Sequence, residues 1–217
     1  MTFAKQCSRL CKIEKLRGGI KLKVIFLDVD GVLKPYYARG RFEVDMDELR
    51  KRLTRELGVD YTIYDRYDVA SASEDWYEGA VERIRNILVE TNAKIVVSSD
   101  WRSKEQPYKM RDFLRIWGLD EYWYADNEYF NRESMKDAIE YVKKKDEGKD
   151  IELNTRAVEI MDFVFKHKEI TNFVAIDDID LTKYLEGHFV GTYNVIGTWQ
   201  VEKAIEILND DSLTIKR

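Results

Sequence analysis

Short apolar runs and longer stretches of helical periodicity alternate along most of this chain. Val24 to Leu27 is rich in β-branched and aromatic side chains and predicts a buried strand, which ends in Asp28, Asp30 and Gly31. Met46, Leu49, Leu53 and Leu57 then recur at helical spacing up to Gly58, a helix stop, while residues 59–70 carry no assignable period. Ser71 followed by Glu74 has the spacing of a capping box. Trp76, Ala80, Val81, Ile84, Ile87 and Leu88 mark one face of the helix it predicts. Ile95 to Val97 is a second strand, ending in Ser98, Ser99, Asp100 and Arg102. Downstream, the pattern predicts a short helix closed by Gly118, a strand over Tyr122 to Ala125, and a helix over Met135, Ile139 and Val142. A helix capped by Asn154 leads into the strand Phe173 to Ile176, which ends in Asp177, Asp178 and Asp180. A last strand near Phe189 and a helix over Val201 to Leu208 close the chain.

Strand, helix, strand in this order is the unit of a parallel sheet. The fold class expected is α/β: a three-layer Rossmann-like sheet with helices on both faces. Residues 1–20 are basic and poor in large apolar side chains, and read as an N-terminal extension to a core spanning 21–217. The segment 34–70 lies where a small lid insertion over the first strand's C-terminal end would sit; a packed helix without that role is the equal alternative.

Composition narrows the function classes. At 217 residues with 44% hydrophobic and 12% aromatic content, the chain supports one good core. A net charge of −5 is not the basic footprint of a nucleic-acid-binding surface, though a local basic cleft is compatible with it. No apolar run has the length of a membrane span. Cys7 and Cys11 stand alone near the N-terminus, spaced as neighbours on a helix face, and do not form a disulfide framework. A cytoplasmic location is the expectation, with no protein partner evident.

Chemistry gathers where the strands end. In a parallel sheet those ends share one edge, so Asp28, Asp30, Asp177 and Asp178 meet beside the hydroxyls of Ser98 and Ser99. Such carboxylates repel one another and need a counter-charge. A hard cation such as Mg²⁺, which takes one or two carboxylates together with phosphate and water, supplies it.

Asp28-Val-Asp-Gly-Val-Leu, Val96-Val-Ser-Ser and Asp177-Asp178, each closing an apolar strand, together resemble the motifs of the haloacid dehalogenase (HAD) superfamily. Arg156, opening the helix before the Asp177 strand, fits the basic motif between them. Ser98-Ser-Asp-Trp-Arg with Arg156 and Glu159-Ile160 resembles more narrowly the small HAD-fold domains grouped with predicted RNA-repair phosphatases. The resemblance implies a Mg²⁺-dependent phosphomonoester hydrolase in which Asp28 is the nucleophile and forms an aspartyl-phosphate. Asp30 would be the acid and base. Ser98, or Ser99 in its place, would bind phosphoryl oxygens. Apart from the resemblance, Trp101 and Arg102 are candidates to line the pocket and touch substrate, with a core tryptophan beside a surface arginine as the alternative. Arg156 would offset negative charge, with Lys136 and Lys104 as rivals. The metal would be held by Asp28, Asp177, Asp178 and the carbonyl of Asp30. The substrate would be a phosphorylated small molecule or a phosphorylated nucleic-acid end. Phosphoryl transfer of the mutase kind and a non-catalytic phosphate-binding regulatory module are the alternatives.

Overall fold

A computed structural model describes residues 22–147 and 152–215 of the chain; Cys7 and Cys11 lie outside the described residues. Five parallel strands, β1 (Leu22–Leu27), β2 (Lys94–Val97), β3 (Trp123–Asp126), β4 (Ile170–Asp177) and β5 (Phe189–Gly191), form one sheet in the order β3-β2-β1-β4-β5. Chain order reverses between β1 and β4. That switch point is where open parallel sheets leave a crevice at their carboxyl ends.

The two-residue period of each strand divides its side chains between two cores. Ile25, Leu27, Ile95, Val97, Val174 and Ile176 face α3 (Glu78–Thr91), α4 (Lys109–Ile116) and α8 (Thr198–Asn209). Val24, Phe26, Val96, Phe173 and Ala175 face α5 (Lys136–Lys145), α6 (Thr155–Lys166) and α7 (Thr182–Leu185). Phe26 anchors this second core, edge-on to Phe163 at 5.7 Å and to Phe173 at 5.6 Å. The three-layer α/β expectation is met. Among the described residues, no helix is long and apolar enough to cross a membrane.

Local sequence explains most element boundaries. Asp45 caps α1 (Met46–Leu57) by accepting from the amides of Asp47 and Glu48, and Gly58 ends it in the left-handed region at φ 70°. The capping-box expectation at Ser71 needs correction. Ser71 sits in the last turn of α2 (Arg66–Glu74), and its hydroxyl donates to Asp75 Oδ2 at 2.7 Å. The helix over Ala80 to Leu88 begins only at Glu78, so two helices replace the one expected, and α2 takes up part of the unassigned 59–70 stretch.

Packing also shapes the reading of 34–70. Leu49, Leu53, Tyr61, Tyr64, Val69 and Ala70 join the same core as β1 and β2. The Tyr61 and Tyr64 hydroxyls donate to the carbonyl and carboxylate of Asp112 on α4, each at 2.6 Å. Through these residues the segment forms a wall of the core.

Candidate active site

Strand register decides which polar residues meet. Leu27 pairs with Val97 on one side and Ile176 on the other, and Val97 pairs with Asp126. One step further along lie Asn127, Ser98, Asp28 and Asp177, a row across four strand ends. The period-two alternation turns their side chains to the face covered by α6. Carboxylate oxygens of Asp28, Asp177 and the half-buried Asp178 lie within 4.8 Å of one another.

Arg156 enters this cluster from the first turn of α6, whose start is fixed by Asn154 accepting from the Ala157 amide at 2.9 Å. A cation at a helix N-terminus opposes the macrodipole. The carboxylates explain its place: Arg156 Nη1 donates to Asp177 Oδ2 at 3.0 Å, to Asp28 Oδ1 at 3.2 Å and to the Ser98 carbonyl, while Nη2 reaches Asp100 Oδ1 at 3.5 Å. Neither rival cation reaches these oxygens. Lys104 lies over the Tyr129 ring at 4.9 Å, and Lys136 is exposed on α5.

The serines divide their contacts. Ser99 Oγ accepts from the Trp101 amide at 3.4 Å and its hydroxyl draws the Asp28 carboxyl downward, whereas the buried Ser98 hydroxyl has no protein partner. The side-chain amide of Asn127, 3% exposed, is likewise unpartnered at both its atoms. Buried polar atoms left unmatched are costly, so this part of the row is built to receive a polar guest or water. Asn127 was legible as one more polar residue at a strand end, but only the sheet order places it beside Ser98.

Arg102 is oriented differently from its expected substrate contact. Its guanidinium donates to Glu159 Oε2 at 3.0 Å and to the carbonyls of Ser99 and Asn127, each at 2.6 Å, so it braces the loops behind the site. Glu159 thereby pairs with Arg102 and accepts from the Phe130 amide at 2.7 Å. Arg102 is a positioning element in this geometry.

Asp30 points elsewhere from Asp28. Its Oδ1 accepts from Lys34 Nζ at 2.5 Å and its Oδ2 from Trp101 Nε1 at 2.6 Å. Tyr36 covers the remaining acid: its hydroxyl donates to Asp178 Oδ2 at 2.6 Å, and that bond pushes the phenol up to about 12. Gly31, at φ +71°, leaves the room this needs, because a Cβ there would meet Tyr36 Oη at 2.7 Å and Asp178 Cβ at 2.8 Å.

Burial raises the carboxyl of Asp28 to about 6 and that of Asp177 to about 7, against the pull of Arg156. The folded protein therefore keeps protons at these positions that the unfolded chain has released by the ordinary Asp range near pH 4. Stability from a raised carboxyl is fully present below the unfolded value and is lost as pH rises through the folded one. Relative to Asp177→Asn, which titrates nothing at that position, the wild type should lose melting temperature between about pH 4 and pH 7. Mg²⁺, which selects the ionised carboxylates, should restore it at the upper end. Melting curves with and without Mg²⁺ across that range check this; a wild type that gains on Asp177→Asn with rising pH in the absence of metal contradicts it.

The donor set suits a hard cation. It offers only oxygen atoms, with Asp178 half-buried and therefore open to water on one side. A protein-family model described as "HAD domain in Swiss Army Knife RNA repair proteins" matches residues 24–198. Neither the curated proteins nor the solved structures contain a match to the chain.

Proposed function

This chain belongs to the family of HAD domains in Swiss Army Knife RNA repair proteins, and from that premise we propose that it is a phosphomonoester hydrolase acting on phosphorylated nucleic-acid ends. The observation that carries the reading is Asp28, at the sheet's switch point, facing Asp177 with Arg156 between them. A nucleophilic carboxylate, a fixed guanidinium and an oxygen-only cation site are what phosphoryl transfer requires, because its barrier is lowered mainly by positioning and charge stabilisation.

In this reading a carboxylate oxygen of Asp28 attacks phosphorus. The new bond to Asp28 forms as the bond to the leaving oxygen breaks, and that oxygen keeps the electron pair and takes a proton from Asp30. Water then attacks the aspartyl-phosphate, gives a proton to Asp30, and releases inorganic phosphate with Asp28 regenerated. Ser98, whose buried hydroxyl has no protein partner, offers it to the phosphoryl oxygens, and Arg156 balances their charge. Mg²⁺ held by Asp28, Asp177, Asp178 and the Asp30 carbonyl would neutralise charge on the transferring group.

The rim favours a substrate with an aromatic ring. Tyr37 is 91% exposed on the loop after β1, and Tyr193 is 88% exposed on the loop after β5. The two loops are tied together by the Tyr36 amide donating to Asn194 Oδ1 at 3.1 Å and Thr192 Oγ1 donating to the Gly31 carbonyl at 2.7 Å. Unstacked bases bind such rings. Arg41 is not free to clamp phosphate, since it is held by Ser71 at 2.9 Å and Asp75 at 3.2 Å.

A phosphate-release panel with Mg²⁺, comparing 3′- and 5′-phosphorylated RNA with sugar phosphates, tests the reading. One RNA end should exceed the sugar phosphates by roughly tenfold or more in kcat/KM, and Tyr37→Ala should raise KM for that end several-fold, in line with about 1–3 kcal/mol per stacked base. Sugar phosphates turned over as well as RNA ends would overturn the substrate assignment.

A further inference from the structure

Asp30 has a support that its motif does not explain. The turn after β1 folds back tightly: the amides of Val32, Leu33 and Lys34 all donate to the Val29 carbonyl, and the Gly31 amide donates to the Lys34 carbonyl at 2.9 Å. This brings the Lys34 side chain onto Asp30, where its ammonium donates to Oδ1 at 2.5 Å. The opposite oxygen accepts from Trp101 Nε1 at 2.6 Å. Trp101 comes from the loop after β2 and is itself fixed by edge contacts with Trp76 at 6.1 Å and Phe113 at 6.3 Å, both buried in the core. The Lys34 ammonium also lies 5.9 Å from the centre of the Trp101 ring.

An aspartate side chain 44% exposed at a loop would ordinarily sample several rotamers. Here both carboxylate oxygens are held, one from its own turn and one from the neighbouring strand end. We propose that Lys34 and Trp101 are positioning residues that hold Asp30 at the leaving-group oxygen. The inference rests on the phosphatase reading, in which Asp30 transfers a proton to that oxygen as its bond to phosphorus breaks. Proton transfer of this kind contributes when the acid stands within hydrogen-bond reach in the right orientation, so loosening the carboxylate loses part of about 10²–10⁴-fold. The clamp acts on the leaving group and not on phosphoryl binding. Its removal therefore weighs on esters that need a proton and spares those that do not.

The test compares p-nitrophenyl phosphate, whose nitrophenolate departs as a stable anion, with an alkyl phosphate, whose alkoxide must be protonated. The measure is kcat/KM, which reports steps up to the first irreversible one. Trp101→Phe keeps an aromatic ring against Trp76 and Phe113 but removes the N–H donor, and Lys34→Met removes the ammonium and keeps the apolar stem. Each should lower the alkyl phosphate rate by tenfold or more relative to the p-nitrophenyl phosphate rate. In an Asp30→Ala background the same changes should leave that ratio where it stands, because the group they position is gone. Equal losses on both esters in either variant, or the same ratio change with and without Asp30, overturn the clamp. Should Trp101→Phe fail to fold, Lys34→Met carries the test from the other oxygen. A wild-type protein that releases phosphate from neither ester and from neither 3′- nor 5′-phosphorylated RNA overturns the phosphatase reading itself, which keeps the two failures apart.

Discussion

Asp28→Asn is expected to abolish phosphate release while leaving the fold intact. The amide has nearly the shape of the carboxyl it replaces, so β1, the turn behind it and the row of strand ends should keep their geometry. What disappears is the anionic oxygen that attacks phosphorus in the proposed mechanism. Loss of an essential nucleophile removes most of an enzyme's rate advantage, and a fall of at least about a thousandfold is the expected scale. Stability should not fall with activity, because burial already disfavours the charged form of Asp28 and an amide carries no charge to desolvate. The paired measurement is phosphate release with Mg²⁺ beside a melting curve. Turnover near that of the wild type would falsify the aspartyl-phosphate route; a collapsed melt would assign Asp28 a structural role.

Arg156→Met should affect both quantities. The guanidinium touches Asp28 and Asp177, both of them buried, and it caps the Ser98 carbonyl as well. Removing one partner of a buried ion pair leaves its carboxylates uncompensated, at a cost of about 3–5 kcal/mol. Protonation of the two acids offsets part of this at low pH, where their raised pKa values keep them neutral. The loss should therefore be larger at pH 8 than at pH 5, and at pH 8 amount to roughly 6–12 °C for about 3 kcal/mol in a chain of this size. Mg²⁺ should recover part of it by supplying positive charge to the same oxygens. Activity should fall by about a hundredfold or more, as when an electrostatic stabiliser is removed. Arg156→Lys keeps the charge but not the two-armed reach, and should fall between. An unchanged melting temperature at both pH values would mean the cluster does not depend on this cation.

The motifs at the strand ends mark both the HAD superfamily and the narrower RNA-repair branch to which the chain belongs. The strongest signal was local: an apolar strand ending in Asp-x-Asp-Gly places two acids and a tight turn within four residues, whatever the rest of the chain does. The Asn154 cap was legible for the same reason, since a cap bonds amides only a few residues away. Ser71 shows the limit of such signals. A serine three residues before a glutamate suits a helix start, yet the same hydroxyl also closes a helix end by bonding Asp75. The outcome was set by α2, whose burial against the core no spacing rule could weigh.

Sequence alone thus determined the α/β class, the order of most elements and the set of residues at the strand ends, because these follow from periodicity and short-range hydrogen bonding. Tertiary structure decided which of those residues meet. Arg156 lies 128 residues from Asp28 and 58 from Ser98, and its contact with these groups depends on how α6 is laid across the sheet. Arg102, adjacent in sequence to the site, turned to Glu159 instead, while Trp101 beside it turned to Asp30. Side-chain direction at a loop is set by the contacts available on either side, and these come from parts of the chain that sequence distance does not relate.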